Sequence, residues 1–190
     1  MTIQATHNFG ATWPSFVWDL KAMRDVAEVL RTSLVQRTFF EGLDVADNGM
    51  KAYSTDAVVV YNASETARRL KPKGGTPYKG KRGPNKGRVV GRFYEDGYAQ
   101  YKEQSRKGLN QRSVEVDLIL SGQLSRSIAV QAISKTGVTI TPRGAAVAYA
   151  GATNDKRNWW GISPRNNADL IAALPQIIGE CINRAVAGKQ

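Results

Sequence analysis

The sequence predicts an α+β fold: a small, mostly antiparallel β-sheet packed by a long N-terminal helix and a C-terminal helix, with a long basic loop. Three observations lead there. Apolar residues recur at helical spacing near both ends of the chain, alternation of period two is confined to its middle, and a stretch rich in glycine, proline and positive charge carries neither period. The 190 residues, 42% hydrophobic and 23% charged, suit one globular domain over 1–190. A chain of this size buries roughly 70% of its unfolded surface.

The first element is PSFVWDLKAMRDVAEVLRTSLVQRTFF. Leu20, Met23, Ala27, Leu30 and Leu34 recur at spacings of three and four, and Lys21, Arg24, Asp25, Glu28 and Arg31 fall largely elsewhere. Thr12 and Pro14 supply start signals, so the spacing predicts an amphipathic helix of about 25 residues ending near Gly42. DAVVVYNA, Asp56 to Ala63, is a β-branched run that reads as a strand. FYEDGYAQYKEQSRKGLN opens a second helix near Asp96, with Tyr98 and Tyr101 on one face and Gly108 as its stop.

The period then changes. In SVEVDLILSG, Val114, Val116, Leu118 and Leu120 share one face and Ser113, Glu115 and Asp117 the other, as in a half-buried strand. QLSRSIAVQAIS leads through Lys135-Thr136-Gly137 to VTITP, which reads as a hairpin. AAVAYAGA, Ala145 to Ala152, reads as a further short strand. Ser163 is a natural N-cap and Pro164 a natural first helical residue. The helix they open carries Leu170, Ile171, Leu174, Ile177, Ile178, Cys181, Ile182 and Ala185 as its apolar stripe, interrupted by Pro175.

Charge is concentrated in one place. The formal net charge is +11, and from Arg68 to Arg92 lie ten basic residues (Arg68, Arg69, Lys71, Lys73, Lys79, Lys81, Arg82, Lys86, Arg88, Arg92) with no acidic one. Its glycines and three prolines keep a helix or a central strand from running through most of it, so it reads as a loop or arm, about 68–92. Ten like charges together read either as a solvated, self-repelling loop or as a contact for a polyanion such as nucleic acid or for an acidic partner surface.

Reactive residues are few. A lone His7 in an N-terminal tail and a lone Cys181 at an apolar helical position assemble no metal site, and Cys181 reads as a small buried hydrophobe in a reducing compartment. KGKRGPNKGR lacks the strand, the helix and the Gly-Lys-Ser/Thr ending of a phosphate loop. No enzyme, cofactor, metal site or catalytic residue is expected. No apolar run approaches the ~20 residues that cross a bilayer, and MTIQATHNFG has no signal-peptide pattern, so no membrane association is expected.

Two motifs and their order carry a resemblance. DGYAQYKEQSRKGL precedes VDLILSGQLSRSI, where Val116, Asp117, Leu118, Leu120, Ser121, Gly122, Leu124, Arg126, Ser127 and Ile128 form one pattern. Arg157, Trp159, Trp160, Gly161, Ile162 and Ser163 form the second, just before the last helix. Together these segments resemble the virion-morphogenesis, or tail-completion, proteins of tailed bacteriophages, over Asp96 to Val186 and outside the basic segment. The resemblance implies a structural virion protein at the head-to-tail neck, a tail terminator or connector, forming a homo-oligomeric ring that is typically sixfold in related tail terminators. Implied partners are head-completion or adaptor proteins and tail tube or sheath proteins, with DNA in the channel as a further contact. The implied location is the neck or tail end of the virion, assembled in the host cytoplasm. The rival reading is a basic nucleic-acid-binding protein; it rests on the arm, whose only aromatic is Tyr78.

Adjacent side chains of an extended segment point to opposite sides. We therefore expect one of Trp159 and Trp160 to pack under the last helix and the other to face a neighbouring subunit, the alternative being that both rings are clamped into one subunit's core.

Overall fold

The computed structural model describes residues 5–8, 18–106 and 122–187, and its architecture is α+β with small antiparallel sheets. In chain order the elements are β1 (Ala5–Asn8), α1 (Leu20–Val35) running into a π-helical turn (Gln36–Phe40), β2 (Val58–Tyr61), α2 (Glu65–Arg69), β3 (Thr76–Lys79), β4 (Val89–Tyr94) and α3 (Gly97–Arg106). After 107–121 follow α4 (Gln123–Ser127), β5 (Ile128–Ile133), β6 (Gly137–Pro142), α5 (Val147–Arg157) and α6 (Pro164–Ala187). Sequence reading leads to one domain over 1–190, and the contacts within the chain gather into two compact units: Met1–Met50 with Gln123–Gln190, and Lys51–Gly122.

In the first unit, α1 begins at Asp19, whose carboxylate accepts the Ala22 N–H at 2.6 Å and so satisfies one of the helix's orphan donors. Met23, Ala27, Leu30 and Leu34 are buried, as their spacing requires, while Leu20 is half exposed. The buried positions Ala22, Met23, Val26, Ala27, Leu30 and Leu34 form a broad arc, wide enough to meet both α6 and the β5–β6 hairpin. α6 runs antiparallel to α1: Asp19 meets Arg184 at one end and Arg37, just past α1, meets Asn166 at the other. Leu170, Leu174, Ile177 and Cys181 bury that face of α6, and Pro175 lies within the helix. Cys181 is a buried free thiol.

The hairpin forms between Ile128 and Pro142, but its first arm is shorter than the stretch from Gln123 suggests, because Gln123–Ser127 is the short helix α4. β6 is the middle strand of a sheet ordered β1-β6-β5, and His7, expected in a tail, pairs through its backbone with Val138. Ala145 to Ala152 is not a strand. It is a 3₁₀ turn (Gly144–Ala146) passing into α5, because alanine is the best helix former and the run lacks the apolar-polar alternation a strand surface needs. Asn158, left-handed at φ 45°, ends α5.

The second unit is a sheet ordered β2-β4-β3 with α2 and α3. Val60, Ala67, Leu70, Tyr94 and Tyr101 are its core, with Tyr98 partly buried against them. Tyr101 donates its hydroxyl proton to the Leu70 carbonyl at 2.6 Å, and burial raises the phenol's pKa above its ordinary value. Gly97 is required at the start of α3: at φ 62°, a Cβ there would lie 2.4 Å from the Asp56 carbonyl oxygen. The strand expected over Val114 to Leu120, the stop at Gly108, and Val116 to Ser121 of the family pattern lie outside the described residues, as do Thr12 and Pro14 themselves; α1 starts only at Leu20, behind extended Asp19, later than those start signals imply.

Candidate functional site

The paired tryptophans occupy the start of α6. Trp159 is fully buried and Trp160 nearly so, their rings edge-to-face at 5.0 Å, with Phe39 edge-on to Trp159 at 5.5 Å. Both rings lie in the core of their own unit. This corrects the expectation that one would face a neighbouring subunit, for a local reason. The chain is not extended here: Asn158 is left-handed, Trp160 N–H binds the Asn154 side chain at 2.8 Å, and Gly161 turns at φ 143°. A Cβ at Gly161 would sit 2.7 Å from Val45 Cγ2.

A polar network locks the same corner. The π-helical turn brings Arg37 into the interior, 1% exposed, where its guanidinium donates to Asn166 Oδ1 and to the Trp159 carbonyl, both at 2.7 Å. Burial pushes the Arg37 pKa down while Asp47 and Asp44 hold it up. Asn166, fully buried, also accepts the Ser163 N–H at 3.0 Å and donates to Ser33 Oγ at 2.7 Å, and Ser33 in turn donates to Asp169. Ser163 Oγ accepts the Asn166 N–H at 3.1 Å, so Ser163 caps α6 as its sequence position implied. One buried arginine thus ties the end of α1 to the start of α6. Nothing in the spacing of Arg37 and Asn166 announces this pairing across 129 residues.

The second feature is charge. Lys51–Gly122 holds fifteen Lys and Arg against seven Asp and Glu, a net +8 of the chain's +11. The supposed arm is largely ordered in a hairpin of this unit. Arg68 and Arg69 close α2, Lys71 and Lys73 lead to β3, and Lys79 ends β3. Lys81, Arg82, Lys86 and Arg88 decorate a tip over 80–88 whose backbone bonds to itself, Gly80 N–H to the Arg88 carbonyl at 2.9 Å and Gly87 N–H to the Gly80 carbonyl at 3.0 Å. Arg68, Lys71, Lys73, Lys79, Lys81, Arg82, Lys86 and Arg88 are exposed. Arg92 is different: it is half-buried on β4, the central strand, and donates to the Gly74 carbonyl at 2.6 Å, which makes it structural. A central strand therefore does enter the segment, because Val89 to Arg92 holds only one glycine and no proline.

The third feature is the outer face of α6. Ile171, Pro175, Ile178, Ile182 and Val186 recur at spacings of four, three, four and four, on a side distinct from the packed one. Ile171 is 65%, Ile182 50% and Val186 60% exposed. At 1.5 Å per residue this charge-free strip is about 22 Å long. By length and composition α6 is also long and apolar enough to cross a bilayer, although Arg165, Asp169, Glu180 and Arg184 interrupt its apolar residues. Its Leu170–Cys181 face and the Arg184 bond to Asp19 commit the helix to α1.

Among the described residues no group of three His, Cys, Asp or Glu is placed to hold a metal. An open cleft of about 450 Å³ lies between α1 and α6, lined by Glu28, Val29, Thr32, Ser33, Gln36 and Asp169. Its carboxylates have no histidine, cysteine or lysine opposite them, and Asp169 is engaged by Ser33. Comparison with protein-family models, with curated proteins and with solved structures finds no match for this chain.

Proposed function

We propose that this protein is a structural, non-catalytic component of a tailed-bacteriophage virion, a tail-completion or connector protein that assembles with copies of itself into a ring at the head-to-tail neck. The observation that carries the reading is the exposed apolar strip of α6. A helix that has already buried one face against α1 and still shows Ile171, Ile182 and Val186 to water carries a surface suited to a second chain. The strip from Ile171 to Val186 holds no charge, so it selects neither an acidic nor a basic partner, and we assign it to a second copy of this chain. Ring closure needs this strip to meet a different patch on the neighbour.

The succession of an aromatic-bearing helix, a Leu-Ser-Gly-x-Leu segment and a Trp-Trp-Gly-Ile-Ser helix start is the support for the phage assignment. The last of these motifs encodes a rigid start for the helix that presents the strip. In the same reading the basic tip meets a polyanion, either DNA in the channel or an acidic face of an adjoining ring, and head-completion or adaptor proteins and tail tube or sheath proteins are the neighbours. The assembled location is the virion neck or tail end, reached from the host cytoplasm.

The experiment is solution mass by light scattering across a concentration series, with Ile171→Asp/Ile182→Asp as the comparison. The wild-type chain gives one closed oligomer and the double variant a folded monomer. A wild-type chain that stays monomeric at every concentration overturns the ring reading, and partition into vesicles without oligomer formation assigns the strip to lipid.

A further inference from the structure

The sheet of the second unit carries an aromatic surface that the charge pattern alone does not reveal. Directly paired residues of an antiparallel sheet share a side, as do residues two apart along a strand. Tyr61 and Tyr78 both pair with Gly91, and the next residue of β4 on that side, Phe93, pairs with Val59 and Thr76. These residues therefore lie opposite Val60 and Tyr94, which face the core. Gly91 has no side chain, and the Tyr61 and Tyr78 rings meet edge-to-face across it at 5.9 Å. A Cβ at position 91 would sit 2.6 Å from the Val60 carbonyl oxygen. Tyr61 is 47% exposed, and Tyr78 and Phe93 are half-buried.

The strand that holds Tyr78 runs directly into the basic tip. The register slips after Tyr78, setting Lys79 beside Val89, and Lys81 and Arg82 follow two and three residues on, in the tip. We propose that this face binds single-stranded nucleic acid, with bases stacking on Tyr61 and Tyr78 and phosphates meeting Lys79, Lys81 and Arg82. The inference rests on reading the tip as a polyanion contact and is independent of where in a virion the protein stands.

Two features favour a single strand over other polyanions. A duplex offers phosphates but hides its base faces, so the tyrosine pair would contribute nothing to it. An acidic protein surface matches the cations equally well, yet does not set a planar ring beside each of its charges as a nucleotide does. A single strand uses both: its backbone follows the cations and any base presents a π-face, which makes the binding tolerant of sequence.

The test uses the full chain and fluorescein-labelled oligo-dT, a duplex of equal length and a poly-glutamate peptide, read by fluorescence anisotropy at several salt concentrations. The expected result is tighter binding to oligo-dT than to duplex. Tyr61→Leu weakens oligo-dT binding about five-fold or more, and Tyr61→Phe restores it. Lys81→Gln/Arg82→Gln weakens every anionic probe and lowers the salt dependence. Because Tyr61 is half exposed, the leucine variant keeps its fold, checked by circular dichroism. Equal affinity for duplex and single strand with no response to Tyr61→Leu overturns the inference while leaving the polyanion reading in place. Binding to none of the three probes overturns both.

Discussion

Asn166→Ala removes the side chain on which the corner between α1 and α6 depends. Arg37 loses a charge-assisted bond of 2.7 Å in a site where its side chain has no water to turn to, a loss of about 1.5–3 kcal/mol. The Ser163 N–H loses its acceptor, about 1 kcal/mol more, and alanine's better helix propensity returns about 0.5 kcal/mol. The net expectation is a destabilisation of about 3 kcal/mol. Urea unfolding followed by tryptophan fluorescence reads it, since Trp159 and Trp160 stand at this corner. Asn167→Ala, one residue on and without a side-chain bond, is the control and changes stability by less than about 0.5 kcal/mol. If Asn166→Ala loses under about 1 kcal/mol, the buried network does not hold the start of α6, and the account of the tryptophan corner fails with it.

Other outcomes follow from the same contacts. Trp159→Ala and Trp160→Ala each destabilise the first unit, by about 3–5 kcal/mol for the fully buried Trp159, in chemical unfolding. The Arg184 side chain and the Ala22 N–H hold the Asp19 carboxyl well below the usual carboxylate range, so its stabilising contribution is full above about pH 4 and is lost as pH falls through the depressed folded value. Asp19→Asn keeps most of the cap and abolishes that part of the acid sensitivity, measured as urea midpoints across an acid pH series. Gly97→Ala lowers the stability of the second unit, because its Cβ has no room beside the Ser54 and Asp56 carbonyls; hydrogen exchange of α3 amides reads this. Neutralising Lys79, Lys81, Arg82 and Lys86 leaves melting unchanged, since all four are exposed, and weakens association with polyanions.

The helices at the two ends of the first unit, the Ile128 to Pro142 hairpin and the Ser163 cap were legible because each depends on local period or on a residue with one strong positional preference. Ala145 to Ala152 was misread because a short apolar run has no period to separate strand from helix, and alanine's propensity decided the outcome. The tryptophan pair was misplaced because its orientation depends on the left-handed Asn158 and on Gly161, not on strand alternation. Arg37 and Asn166 were invisible for another reason: a buried arginine looks like any surface arginine until a partner distant in sequence is folded against it. Likewise Tyr61 gained meaning only when β4 put Gly91 between it and Tyr78. The charge cluster was visible as composition, but its ordered tip was hidden because glycine and proline mark turns and disordered loops alike.

The central claim is that the exposed face of α6 joins copies of this chain into a ring. Imaging the purified full-length protein by electron microscopy tests it most directly. The account predicts closed rings of uniform subunit number that are lost in the Ile171→Asp/Ile182→Asp variant. Single particles of one-chain size at concentrations where the protein is folded, or rings unaffected by that variant, contradict it.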